Sequence, residues 1–253
     1  MTWGMVLPVS FGDYWPNGAC VDARSRAEDH YSSVLTDAER KKLYAGVTSL
    51  LANANYKYIE DIVFTKLGPL EEFEKPRKYK TFKTYKNLAS FIQLSNGLLG
   101  VDEALREIFE ELESGVHTFW PIEITMPRGG VYPKPYFVMV INTHLTAFSR
   151  EDSEQESWEE SSPGNHYSRA TRPHKKAFSG MAISRETVGT AHIWRVRWVK
   201  TPEILFSDRL MDKIKAAGLR IPPKHYEMLD VERAKKTRLK IGARIAGFWA
   251  GKR

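Results

Sequence analysis

Residues 101–126 read VDEALREIFEELESGVHTFWPIEITM, and the change of period inside this stretch decides the fold class. Val101, Ala104, Leu105, Ile108, Phe109 and Leu112 recur at three- and four-residue steps, which lays one apolar stripe along a helix. Asp102, Glu103, Arg106, Glu107, Glu110 and Glu111 fall largely off that stripe. Gly115 is a natural stop, because glycine accepts the left-handed backbone that ends many helices. From Phe119 to Met126 the chain reads as a strand, with Pro121 favouring an edge or the strand's beginning. A turn at Pro127-Arg128-Gly129-Gly130 leads to the continuous apolar run Tyr136–Asn142, which predicts a buried strand.

Outward from this centre, strands and helices mix without a βαβ rhythm. Phe91–Ser95 reads as a short strand that turns at Asn96-Gly97. Phe178–Ser184, His192–Val199 and Ile204–Phe206 also read as strands. In the second of these, His192, Trp194, Val196 and Trp198 alternate with Ile193, Arg195, Arg197 and Val199. Ser207 is placed to cap a helix over 208–217 that turns Leu210, Met211 and Ile214 inward and stops at Gly218. Near the N-terminus, Thr36-Asp37-Ala38-Glu39 has capping-box form and predicts a helix over 37–53. Ile59–Phe64 reads as a strand, the first thirty residues as short strands or loops, and residues 68–87 as a polar, basic loop. The pattern predicts an α+β fold: a mixed or mainly antiparallel sheet with a few packed helices in a single compact domain. Within it, residues 1–80 form a helical and aromatic part, 81–230 the α+β core with a long loop at 149–176, and 231–253 a basic C-terminal tail.

Composition narrows the function. The chain has 253 residues, 42% of them hydrophobic, enough for a sizeable core. No stretch has the roughly 18 apolar residues a membrane-spanning helix needs, and Met1–Ser10 does not have the form of a secretory signal. With Cys20 as the only cysteine, neither an internal disulfide nor a cysteine-based zinc site can form. A reducing cytoplasm is the simplest location. The net charge of +7 equals that of residues 231–253 alone, which carry eight Lys/Arg against Glu232. The basicity therefore belongs to the tail. There, Ile241, Ile245, Phe248 and Trp249 fall on one helical face, a pattern that suits first docking on the domain itself, and otherwise binding RNA, an anionic membrane surface or an acidic protein.

The search for chemistry returns little. The histidines (His30, His117, His144, His166, His174, His192 and His225) form no i,i+4 pair for a metal. His117, between a helix stop and a strand, suits a structural hydrogen bond. No phosphate-cradling glycine loop or nucleophile elbow is present, so no catalytic residue, metal ligand or cofactor site is expected. One charged feature stands out in the long loop: Glu151, Asp152, Glu154, Glu156, Glu159 and Glu160. They read either as a solvated charge run or as an electrostatic docking strip for a basic partner.

Three stretches carry a resemblance. The first runs from Phe91-Ile92-Gln93-Leu94-Ser95-Asn96-Gly97 through the helix to His117-Thr118-Phe119-Trp120-Pro121-Ile122-Glu123-Ile124. The second is Tyr136–Phe148 with the acidic, serine-bearing loop behind it. The third runs from Gly189-Thr190-Ala191-His192-Ile193-Trp194-Arg195 through Ile204-Leu205-Phe206-Ser207-Asp208-Arg209-Leu210 to Gly218-Leu219. In this order they resemble the immunity protein 11 family over roughly residues 80–230. The resemblance implies a bacterial, non-catalytic protein encoded beside a polymorphic or type VI secreted toxin. Its partner would be that cognate toxin, bound and blocked by protein–protein contact. Two other readings stand beside it: nucleic-acid binding through the basic tail, and an enzyme of unrecognised type. The sequence does not set the oligomeric state.

Overall fold

A computed structural model describes residues 1–43, 45–59, 68–161, 166–170, 178–197 and 204–232. In chain order the N-terminal part is β1 (Thr2–Met5), β2 (Gly18–Cys20), α1 (Ala23–Asp29), α2 (Asp37–Lys42), α3 (Val47–Ile59) and β3 (Lys78–Thr81). The middle is β4 (Phe91–Gln93), β5 (Leu99–Asp102), α4 (Glu103–Leu112), β6 (Thr118–Thr125) and β7 (Tyr136–Val140). Then come β8 (His144–Leu145), β9 (Phe148–Ser149), β10 (Trp158–Ser161), β11 (His166–Arg169), β12 (Ala182–Ser184), α5 (Arg185–Val188), β13 (Ile193–Val196) and β14 (Ile204–Ser207). The chain continues with α6 (Asp208–Ala216), β15 (His225–Glu227) and β16 (Leu229–Val231).

The described residues form four sheets: β2-β3-β6-β7-β5-β4, β15-β1-β14-β13-β8, β16-β12-β9 and the ribbon β10-β11. Pairing is mainly antiparallel, with parallel ladders at β3·β6, β8·β13 and β12·β16. The expected α+β class holds.

The apolar side chains stack these elements in layers. Tyr79, Ile92, Trp120, Ile122, Ile124, Tyr136 and Val138 line one face of the six-stranded sheet and meet Ala54 and Tyr58 of α3. On its other face, Leu99, Val101 and Met139 meet Leu105 and Phe109 of α4 and Leu210, Met211 and Ile214 of α6. Those helices also rest on Met5, Ile193, Ile204 and Phe206 of the five-stranded sheet, so α4 and α6 lie between two sheets. The far face of the five-stranded sheet, with Trp194, Val196 and Leu205, packs on Phe178, Met181 and Ile183. The expected alternation along β13 is present, but both of its faces are covered: even Arg195 is buried.

Caps explain the helix starts. The side chains of Asp102 and Ser207 accept from the backbone N–H groups of Leu105 and Leu210, at 3.0 and 3.2 Å. The Thr36–Glu39 capping box forms as expected.

Several expectations need correction. The helix over 37–53 is two helices, because Ala45 (φ 66°) and Gly46 (φ 53°) take left-handed backbone between them. Val101 belongs to strand β5, not to the helix: the apolar spacing runs on through the Asp102 cap, which ends the strand and starts α4. Residues 78–81 of the basic loop are a strand, Phe178–Ser184 is strand only from Ala182, and α1 was not anticipated among the first thirty residues. Pro121 sits inside β6, next to two partners. The Glu123 N–H donates to the Arg77 carbonyl, so position 121, of the same parity, faces the same side before the β3 ladder begins at Lys78. No ladder bond is lost there. Of the strand expected over Ile59–Phe64, Ile59 is instead the last residue of α3 and positions 60–64 lie outside the described residues, as do the basic tail beyond Glu232, Trp198 and Val199.

Candidate partner-binding surface

The acidic segment is built, not loose. Chain entry is fixed by β9, where Ser149 pairs with Ala182 and Phe148 with Ile183. The Ser149 hydroxyl donates to the Asp152 carboxylate at 2.6 Å, and the Ser153 hydroxyl to the Ser149 carbonyl at 2.6 Å. Ala182 N–H donates back to the Ser153 hydroxyl, and Glu154 N–H to the Gly180 carbonyl, both at 2.8 Å. A Cβ at Gly180 would lie 2.6 Å from a Glu154 carboxylate oxygen, so glycine is required for this close approach. After a 3₁₀ turn over Gln155–Ser157, the ribbon β10·β11 pairs Glu159 with Ser168 and Glu160 with Tyr167. One aromatic cluster anchors it: Trp158 is buried with its ring 6.2 Å from Phe148 and 5.4 Å from Tyr167.

The expected loop over 149–176 thus contains a turn and a hairpin. Glu151, Glu154, Glu156, Glu159 and Glu160 are exposed along that scaffold. Asp152 is turned inward to Ser149 and half-buried. The Glu154 carboxylate lies against Gly180, and the side chains of Glu151, Glu156, Glu159 and Glu160 stand exposed on the short, braced segment.

The strongest buried polar cluster lies elsewhere, between the sheets. Glu113 closes α4, and one of its carboxylate oxygens accepts from His192 N–H at 2.9 Å. The other accepts from Ile193 N–H at 3.0 Å and contacts His117 Nε2 at 3.0 Å. Asn142 N–H points at His117 Nδ1 (3.4 Å), which requires a lone pair there and places the imidazole proton on Nε2. His192 Nδ1 lies 2.8 Å from the Ser207 hydroxyl that caps α6. Burial works against the Glu113 charge, yet the bonds from His117, His192 and Ile193 outweigh it and hold the carboxyl below its ordinary range.

A carboxylate–imidazole pair is a familiar acid–base unit. Here the imidazole is fully buried and both nitrogens are engaged, so no substrate proton can reach it. It is a joint between α4, β6 and β13. The expected structural role of His117 is met, and its partner stands four residues earlier, at a spacing that a search for paired histidines passes over.

The remaining candidates are also absorbed by structure. Burial pushes the Cys20 thiol up to about 11, which removes thiolate character. His30 stacks on Phe73 at 3.8 Å. Burial, with Arg195 and Arg197 nearby, holds the His144 imidazole down at about 4 against an opposing bond to the Ile141 carbonyl. Among the described residues no group of three or more His, Cys, Asp or Glu is placed to hold a metal, and no helix is long and apolar enough to cross a membrane. His174 lies outside the described residues. An open cleft of about 670 Å³ runs between the start of α4 and the end of α6, lined among others by Asp102, Glu103, Lys134 and Arg220.

The molecule so described is a layered α+β protein whose buried polar groups serve its joints and whose outer strips carry charge. Against known protein families, residues 21–222 match the Immunity protein family (Imm11), and the chain belongs to that family. The match begins at Val21, so it takes in most of the N-terminal part as well as the expected core. No curated protein matches the chain.

Proposed function

We propose that this chain binds a secreted bacterial toxin in the producer's cytoplasm and neutralises it by contact, without catalysis of its own. The family match over residues 21–222 carries this reading. Within it, Glu151, Asp152, Glu154, Glu156, Glu159 and Glu160 make up the docking strip for a basic face of the toxin, with Asp152 and Glu154 bracing it against Ser149 and Gly180 and the other four presenting the charge. Its aromatic anchor supports this role: a braced hairpin loses less side-chain and backbone freedom on binding than a free loop. A polymorphic toxin delivered by type VI secretion is the partner class that fits.

The test is co-expression of the tagged chain with the product of the adjacent gene, followed by capture and a toxicity assay. The expected result is a stoichiometric complex and protection of the host. Reversing charge with Glu151→Lys and Glu159→Lys should slow association, lower affinity and flatten its dependence on salt. A folded chain that neither binds nor protects would overturn the immunity reading. Unchanged affinity in the reversed variant would remove the strip from it.

A further inference from the structure

Among the described residues, the six-stranded sheet is covered on only part of its α4 side. Helix α4 reaches as far as β7, where the Arg106 guanidinium lies 4.1 Å from the Phe137 ring centre. From there to the β2 edge, the register puts Pro121 and Glu123 of β6, Lys78 and Lys80 of β3, Phe82 just beyond it, and Val21 after β2 on that same face. All six are exposed, Phe82 at 63% and Val21 at 51%.

The charge of this area is lopsided. Residues 75–86 contain six Lys/Arg and no acid. Lys75 and Arg77 are engaged by Glu72. Lys78, Lys80, Lys83 and Lys86 are exposed and form no ion pair with any described residue. Lysines on a bare sheet face commonly do no more than keep it soluble and unpaired. Here the register sets Lys78 and Lys80 between Phe82 at one end of β3 and Val21 and Pro121 near the other, a basic centre with apolar side chains at its two ends.

We infer that this bare half-sheet is a second docking face, and that its occupant is an acidic protein surface carrying an apolar side chain to meet Phe82. Charge complementarity selects the acid. Glu123 stands among the lysines, where a continuous phosphate backbone would be repelled and a protein surface can place a hydroxyl or a cation. The inference rests on the immunity reading in taking that surface to be the toxin's. The partner then carries a basic face for the acidic hairpin and an acidic face for the sheet.

The experiment cross-links the full chain to the co-expressed neighbouring gene product with a carbodiimide, which joins carboxylates to lysines at zero length, and maps the linked peptides. Partner Asp or Glu should be joined to Lys78, Lys80, Lys83 or Lys86. The Lys78→Glu/Lys80→Glu variant should bind about tenfold more weakly with an unchanged unfolding midpoint. Links confined to the tail lysines, or full affinity in the variant, would overturn the inference while leaving the immunity reading intact. Links to the hairpin carboxylates of a second copy would overturn it in favour of self-association. Should the neighbour not bind at all, the immunity reading falls by itself, and a fluorescent glutamate-rich peptide becomes the probe. Binding weakened in Lys78→Glu/Lys80→Glu keeps the face. Binding indifferent to those changes, or displaced from those lysines by a single-stranded oligonucleotide of equal charge, refutes it.

Discussion

Replacing Glu113 by glutamine tests how much the joint between the two large sheets contributes. The carboxylate takes three N–H groups, from His192, Ile193 and His117, at 2.9 to 3.0 Å. An amide keeps one acceptor oxygen. Turned the better way, it still serves Ile193 and His117, but it sets an NH₂ group against the His192 N–H. One buried donor is then orphaned, at about 1–3 kcal/mol, and two charge-assisted bonds become neutral ones, at about 1 kcal/mol each. Relief from burying a charge offsets part of this. The net expectation is a loss of about 3 kcal/mol, a large share of the roughly 5–15 kcal/mol that holds a domain folded. Urea unfolding followed by tryptophan fluorescence measures it, and a double-mutant cycle with His117→Ala should show coupling between the two. The pH dependence adds a check. A carboxyl held below its unfolded value contributes stability above that value and loses it as pH falls toward the folded one, and Glu113→Gln should lack this component. A loss under about 1 kcal/mol, or no coupling to His117, would falsify the account of the joint.

Other consequences follow from the same geometry. His144 titrates at about 4 in the folded chain against 6.5 ordinarily, so the fold favours the neutral ring. Its contribution is complete above pH 6.5 and is lost as pH falls toward 4; urea midpoints across that range should drop less steeply in His144→Asn than in the parent chain. The buried pair of Lys57 and Glu74 (2.7 Å) ties α3 to the segment before β3. Lys57→Met should cost about 3–5 kcal/mol in chemical denaturation, while Lys57→Met/Glu74→Leu should recover much of that, because no bare carboxylate remains. Gly4 lies under Phe178, where a Cβ would fall 2.4 Å from the ring. Gly4→Ala should lower stability by about 1–3 kcal/mol, and its effect should shrink in a Phe178→Ala background; additive losses would argue against the contact.

Legibility in the sequence followed local physics. Helix α6, strands β6 and β7 and both cap residues, Thr36 and Ser207, declare themselves within a few residues of chain. Strand β3 did not, although Lys78, Tyr79, Lys80 and Thr81 alternate exposed and buried, because lysines and nearby prolines give that segment the composition of a loop. The hairpin β10·β11 was hidden for a similar reason: Trp158 supplies its burial, and the partner ring at Phe148 stands ten residues earlier. The acidic strip was legible as residues but not as a braced surface. The bare half of the six-stranded sheet could not be seen at all, since it depends on where α4 stops across β7. The Glu113 joint depends on β13, some eighty residues away in the chain.

Strand β1 occupies an interior place in its sheet, with β14 on one side and β15 on the other. Residues 2–5 are therefore held by residues 204–207 and 225–227, about two hundred positions later. During synthesis the first strand leaves the ribosome with no mate, and the five-stranded layer that roofs α4 and α6 cannot close until almost the entire described chain has emerged. Until then the side of α4 that this layer covers and the open rim of β13 stay wet and adhesive. The fold thus matures late, and under the proposed immunity function the protective capacity should track the stock of finished chains and lag behind translation.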